Sequence, residues 1–250
     1  MIRIRNPMIV YDEQSNEKWH RLFHDCKDSG PTICNEHWEG IELLNMPTSQ
    51  LPGLETLNVQ LRQVSNWEGF FSEGLIEYHP FYQAMSKRQF PVGNFLRDDL
   101  SFTPYPDYFH DVFGHLPMLT CTIFSTYCQE MGKLAIQYEH NPEIARLINR
   151  FSWFTTEVGV VRQNGNRAYG GALISSSKEL THMSTTPGVV KAFKFEDVVK
   201  SKIDDKTLQE VFYAVESFDH LMDEFLRFKS HITSKLILKN LAASSTDEVL

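Results

Sequence analysis

The sequence predicts an α+β fold, a single mostly helical domain with small β-hairpin elements. Apolar residues recur at three- and four-residue spacing along most of the chain, which is the helical period. One dipeptide, Asn164-Gly165, sits between Val158-Gly159-Val160-Val161 and Arg167-Ala168-Tyr169 and signals a hairpin. No Pro/Gly/Ser-rich linker, charge block or internal repeat divides the 250 residues, a length that buries a substantial core.

Ser15 is placed as the cap of a first helix, Asn16 to about Lys27, whose Trp19, Leu22, Phe23 and Cys26 share a face. A second helix is predicted over Asn35–Asn45. A third runs over Pro52–Ser65, with Pro52 at the favourable first position and Leu54, Leu57, Leu61 and Val64 on one side. The period shortens after Trp67, so Trp67–Ile76 is predicted to hold a strand, and Pro80 opens a short helix through Lys87. Leu119–Glu139 reads as a long amphipathic helix and Asn141-Pro142-Glu143 starts another. The last helix is Glu216–Asn240, with Phe218, Leu221, Met222, Phe225 and Leu226 as its stripe, before the polar Ser244-Ser245-Thr246-Asp247-Glu248.

A net charge of -8 without a basic patch argues against nucleic acid or an anionic membrane as a partner. The start, Met1-Ile2-Arg3-Ile4-Arg5-Asn6-Pro7, lacks the apolar core of a signal peptide, and no apolar run approaches a membrane span; a cytoplasmic location is expected. Cys26, Cys34, Cys121 and Cys128 form no CxxC pair and are read as free thiols, with Cys121 and Cys128 on one side of their helix.

The most informative stretch is Phe109-His110-Asp111-Val112-Phe113-Gly114-His115-Leu116-Pro117, two histidines in an otherwise apolar run. Neutral imidazoles there need a partner, either a hydrogen-bonding core group or a divalent metal. Spacing does not decide between them, because five residues of ideal helix leave the side chains about 140° apart. His20 and His24 make the better same-face pair, on a charged segment that reads as a solvated surface.

Context separates the two readings. The segment Tyr108–Pro117 resembles the iron-binding segment of the pterin-dependent aromatic amino acid hydroxylases. Trp153-Phe154-Thr155-Thr156-Glu157-Val158-Gly159-Val160 is similar to the segment that gives this family a glutamate ligand, and Ala168-Tyr169-Gly170-Gly171-Ala172-Leu173-Ile174-Ser175-Ser176-Ser177-Lys178-Glu179-Leu180 follows at the family spacing. Three blocks in order make the resemblance specific, with weaker likeness from about residue 60 to about 228. It implies a catalytic domain over residues 1–250 without a regulatory domain, its hairpin beside the iron, and a monomer.

The resemblance implies His110, His115 and Glu157 as ligands and catalytic centre for Fe(II). Two imidazoles and one carboxylate on one face of an octahedral ion leave positions for dioxygen beside the substrate. Glu157, 42 residues after His115, is placed by the resemblance alone. Leu116 and Pro117 are expected to end the ligand segment sharply. Asp107 either holds a ligand imidazole by its other nitrogen or caps the segment.

A tetrahydropterin, the family's two-electron donor, is the second implied cofactor. Gly74-Leu75-Ile76-Glu77-Tyr78-His79-Pro80-Phe81 resembles the pterin loop, so Leu75, Ile76, Tyr78, Phe81 and Asp111 are the implied pterin-binding residues, with Phe81 stacking on the ring. The substrate is a small aromatic amino acid, L-phenylalanine in the first place. Phe90-Pro91-Val92-Gly93-Asn94-Phe95-Leu96-Arg97 resembles the segment that ends in a carboxylate-binding arginine, with Arg88 as the fallback cation. The loop from Arg97 to His110, which carries Thr103, is two residues shorter than the resemblance leads one to expect. Trp153 fits the ring pocket of phenylalanine and tyrosine hydroxylases, Ser175 and Ser176 lie near the substrate, and Asp205 aligns where tyrosine hydroxylases carry an aspartate.

The nearest alternative is a tyrosine-directed or permissive hydroxylase. A zinc hydrolase with Asp111 as base is a distant one, without an HExxH motif. A non-catalytic helical protein leaves the three ordered blocks unexplained.

Overall fold

The structure is a computed structural model that describes residues 9–29, 32–72, 76–100, 105–203 and 207–244, the last ten by backbone alone. It is mostly helical, as the periodicity predicts, and its β structure forms two small sheets that extend beyond the predicted hairpin. The helices are α1 (Glu13–Lys27), α2 (Asn35–Leu43), α3 (Leu54–Ser65), α4 (Tyr78–Ser86), α5 (Thr122–Gln137), α6 (Pro142–Ser152), the short α7 (Gly171–Ile174), α8 (Ser177–Thr185), the short α9 (Phe195–Val198) and α10 (Phe218–Ser244). Strands β1 (Glu68–Ser72) and β2 (Gln89–Gly93) pair in parallel. A second sheet has the order β4 (Asn166–Ala168), β3 (Val160–Arg162), β6 (Phe212–Val215), β5 (Val190–Ala192). Among the described residues no helix is long and apolar enough to cross a membrane.

Several boundaries move for identifiable reasons. Asp12, not Ser15, caps α1: its carboxylate accepts the Ser15 N–H at 2.8 Å, and an anion suits the helix start better than a hydroxyl. Pro52 stays outside α3, which begins at Leu54 after Gly53, and its carbonyl accepts the buried Tyr108 hydroxyl at 2.7 Å. Pro80 is the third residue of α4, still within the turn whose N–H groups have no helical partner. Val64 and Leu226, assigned to apolar stripes, are 39% and 50% exposed. Asn141 caps α6 as predicted, accepting from Ile144 N–H. The Asn164-Gly165 hairpin forms between β3 and β4, with φ of 51° and 113° at its centre.

A two-stranded parallel sheet is marginal alone. Here buried Asn58 of α3 completes it: its amide donates to the Gly69 carbonyl at 2.8 Å and its oxygen accepts the Gly69 N–H at 2.7 Å. The core is aromatic, running from Trp19, Phe23, Phe109 and Phe113 to Tyr127, Phe151, Phe225 and Phe228. The four cysteines are free, and burial pushes the thiol of Cys26 up to about 12 and those of Cys34 and Cys128 well above their usual range. Cys121 is the N-terminal cap residue of α5, and Cys128 lies buried within it. The His20 and His24 rings do meet, 4.3 Å apart, on the outer side of α1.

Candidate metal centre and substrate pocket

His110 and His115 lie on a π-turn, residues His110–His115, in which the Leu116 N–H donates to the Asp111 carbonyl five residues back. An i→i+5 turn returns positions five apart to one side, whereas an α-helix turns them away. The Nε2 atoms of the two rings are 3.2 Å apart. Glu157 ends a second π-turn, Trp153–Glu157, closed by Val158 N–H on the Trp153 carbonyl. Its Oε2 is 3.3 Å from His115 Nε2 and 3.6 Å from His110 Nε2. Leu116 and Pro117 do not end the segment sharply as expected: both keep right-handed helical backbone and lead into the 3-10 turn Met118–Thr120, since proline's fixed φ suits a first helical turn.

The tautomer follows from the surroundings. Ser175 Oγ lies 3.4 Å from the Ala172 carbonyl, to which it donates, so it accepts from His110 Nδ1–H at 3.1 Å. His110 Nε2 therefore presents a lone pair to His115. Three donors 3.2–3.6 Å apart suit a single ion about 2.1 Å from each. Burial works against charge on Glu157, yet the two imidazoles, His115 first, hold its carboxyl down at about 2. Burial and the neighbouring His115 depress His110 to about 4, while Glu157 outweighs burial to raise His115.

Four glycines let the walls close on this centre. A Cβ on Gly171 would lie 2.3 Å from His115 Nε2, and one on Gly114 would lie 2.5 Å from the Gly171 carbonyl. Cβ atoms on Gly159 and Gly170 would strike the Thr155 and Glu157 backbones. These positions escaped sequence reasoning, although the adjacent Gly170-Gly171 pair after a hairpin was a usable sign of close backbone approach.

Asp107 acts as the cap, not as the imidazole's partner; Ser175 has that place. Asp107 Oδ1 accepts the His110 N–H at 3.0 Å, and its two oxygens take Arg97 through Nη2 at 2.6 Å, Nε at 3.0 Å and the backbone N–H at 2.8 Å. Arg97 is 7% exposed, donates to the Ser175 carbonyl at 3.4 Å and stacks over Phe109. The fallback Arg88 is engaged elsewhere: it donates to the Ser65 carbonyl and to Gln129. Trp153 donates through Nε1 to the buried Gln209 at 3.0 Å. The Ser176 hydroxyl is occupied in capping α8.

On the other side, Phe81 is half-buried, edge-on to Phe90, whose ring lies 4.7 Å from that of His115. Ile76 and Tyr78 are half-buried, and the Tyr78 hydroxyl is a buried polar atom without a partner, which a polar ring system could supply. Asp111 accepts the Gly93 N–H at 2.7 Å, and burial pushes its carboxyl up to about 7. Leu75, Thr103 and Asp205 lie outside the described residues.

Comparison with known proteins agrees with this geometry. The family model described as biopterin-dependent aromatic amino acid hydroxylase matches residues 4–250. Phenylalanine-4-hydroxylase of Pseudomonas aeruginosa is 29% identical over 220 residues, 86% of this chain and 83% of the relative. The apo structure of the cold-active phenylalanine hydroxylase from Colwellia psychrerythraea 34H superposes with a TM-score of 0.84 at 28% identity, covering 97% of this chain and 94% of that one. The iron- and phenylalanine-bound phenylalanine hydroxylase of Chromobacterium violaceum gives 0.81 at 25% identity, covering 89% and 84%.

Proposed function

Because the chain belongs to the biopterin-dependent aromatic amino acid hydroxylases, iron- and tetrahydropterin-dependent monooxygenases, we propose that it hydroxylates L-phenylalanine to L-tyrosine with dioxygen. The observation that supports the site most directly is the convergence of His110, His115 and Glu157, ligand atoms within 4.8 Å of one another, beside the buried Arg97. When bound, Fe(II) and the tetrahydropterin supply activated dioxygen and the two electrons that reduce it.

The chain's own residues supply position, charge and dryness. His110 and His115 would hold the ion as neutral ligands and Glu157 as the charged one, a donor set that suits Fe(II) and its dioxygen chemistry. Ser175 fixes the His110 ring by its outer nitrogen. Asp107 pre-orients the Arg97 fork, which takes the substrate carboxylate through its remaining donors. Trp153, held by Gln209, lines the ring slot. Phe81, Ile76, Tyr78 and Asp111 would hold the pterin, and Leu75, outside the described residues, is assigned to it by the family resemblance alone. Ser176 joins the proposed substrate side, and Thr103 and Asp205, outside the described residues, are assigned to it by the family resemblance alone; residues 1–250 are read as one catalytic unit.

Arg97→Lys tests the carboxylate role. An ammonium cannot keep both the paired Asp107 contacts and a substrate carboxylate, so KM for phenylalanine is expected to rise by about 1–3 kcal/mol equivalent, roughly 5- to 150-fold, with the metal retained. Unchanged KM would move the role elsewhere.

The substrate is tested by product analysis with phenylalanine, tyrosine and tryptophan under tetrahydropterin. Tyrosine from phenylalanine is the expected main product, because an indole-lined slot suits a six-membered ring. Some tyrosine turnover is expected as well, since an apolar slot rejects one added hydroxyl only weakly. Asp205→Val should then lower the tyrosine-to-phenylalanine ratio; an unmoved ratio makes Asp205 a solvated loop residue, and preference for tryptophan overturns the role of Trp153.

A further inference from the structure

Far from these motifs in sequence, α2 carries a histidine with no part in the chemistry. His37 is fully buried, with its Nε2 2.8 Å from the Phe113 carbonyl oxygen. An oxygen can only accept, so Nε2 carries the proton and donates, while Nδ1 is left without a partner. Phe113 lies inside the first π-turn, between the two histidines. In an α-helical continuation its carbonyl would accept from the residue four further on. That residue is Pro117, which has no N–H.

Pro117 keeps helical backbone, with φ -59° and ψ -40°, so the chain does not turn the Phe113 carbonyl out to solvent there. A buried carbonyl without a donor is costly, and His37 supplies the donor that proline withholds. One turn along α2, a Cβ on Gly40 would lie 2.2 Å from the Pro117 carbonyl oxygen, so α2 rests directly on the end of the ligand segment. Gly40 is what permits the approach, and His37 is what the approach delivers.

The same stretch is tied to the other side of the centre. Cys34 N–H donates to the Ala168 carbonyl at 3.0 Å and Ala168 N–H to the Thr32 carbonyl at 2.7 Å. Asn35 N–H donates to Gln163, whose amide donates in turn to the Glu36 carboxylate at 2.6 and 2.9 Å. Gln163 and Ala168 belong to the hairpin region that follows Glu157. Residues 32–40 thus form a strut between the segment bearing the two imidazoles and the segment bearing the carboxylate.

We propose that His37 is a positioning residue of the metal centre, acting through the Phe113 carbonyl to hold the His110–His115 turn in place against Glu157. This rests on the reading of His110, His115 and Glu157 as ligands. It predicts a defect in the metal site itself, not in substrate binding.

The test is titration of the purified metal-free protein with Co(II), read by its visible absorption, together with kcat and KM of the iron-loaded enzyme. His37→Leu removes the donor and should weaken Co(II) binding about 10- to 100-fold, the range for groups that orient ligands, and lower kcat with KM for phenylalanine unchanged within about twofold. His37→Gln returns an N–H at the same reach and should recover most of the affinity. Wild-type Co(II) affinity in His37→Leu overturns the proposal, and so does a His37→Gln variant as weak as His37→Leu, which would leave only a packing role. Should His37→Leu fail to fold by circular dichroism, His37→Asn, one bond too short to reach the carbonyl, carries the same comparison. A wild-type protein that takes up no stoichiometric Co(II) fails differently: it removes the ligand reading, and this proposal with it.

Discussion

His115→Ala, His110→Ala and Glu157→Ala are each expected to lose iron and hydroxylation together. The three donors sit 3.2–3.6 Å apart around one point, and removing one leaves two ligands and a hole that water fills. Changes one shell further out already cost about 10- to 100-fold in affinity, so a lost ligand should exceed about 100-fold in both iron binding and turnover. Among the three, Glu157→Ala also removes the negative charge that offsets the ion and raises His115. Iron titration followed by single-turnover assay checks this, and a variant with full stoichiometry and retained activity removes that residue from the set. The folds should survive, because none of these side chains is part of the aromatic core.

Gly171→Ala is expected to do comparable damage without touching a donor atom. The added methyl would lie 2.3–2.5 Å from Nε2, Cε1 and Cδ2 of His115. The ring has nowhere to go: Phe90 packs against it at 4.7 Å, and its residue is 3% exposed. Overpacking of this kind costs about 1–3 kcal/mol of stability, and the displaced imidazole adds a loss of iron affinity. Thermal unfolding and iron titration measure the two parts separately. Gly53→Ala, where the nearest neighbour is Thr56 Oγ1 at 3.4 Å, is the control and should leave the metal site untouched. A Gly171→Ala protein with wild-type iron affinity would show that the wall can yield.

Local periodicity made most of the helices legible, because an apolar stripe, an Asn141 cap and an Asn-Gly turn each act within a few residues. The ligand pair was legible only through resemblance. Spacing rules presume an α-helix, and the pair lies on a π-turn whose extra residue per turn is not encoded in any short pattern. Glu157 on its own π-turn is equally silent to spacing. The sheets were partly hidden for another reason: β6 enters between β3 and β5 from far along the chain, and β1 with β2 needs Asn58 to close its edge, so neither pairing is a local property. The Asp107 alternatives could be resolved only when Ser175 was seen to meet the outer nitrogen of His110 while Asp107 took the His110 backbone N–H.

Asp107 clasps Arg97 at one end of its loop and His110 at the other. The chain between them is therefore closed at its base by one carboxylate, independently of its own length. In general, adding or removing two residues between ends held about ten residues apart changes the closure term by only about 0.2 kcal/mol. The Arg97–Asp107 pairing thus sets the distance from the arginine to His110, whatever the length of chain between. Substitutions between Arg97 and Asp107 are therefore free to accumulate with the arginine fork and the His110 N–H still held by one carboxylate.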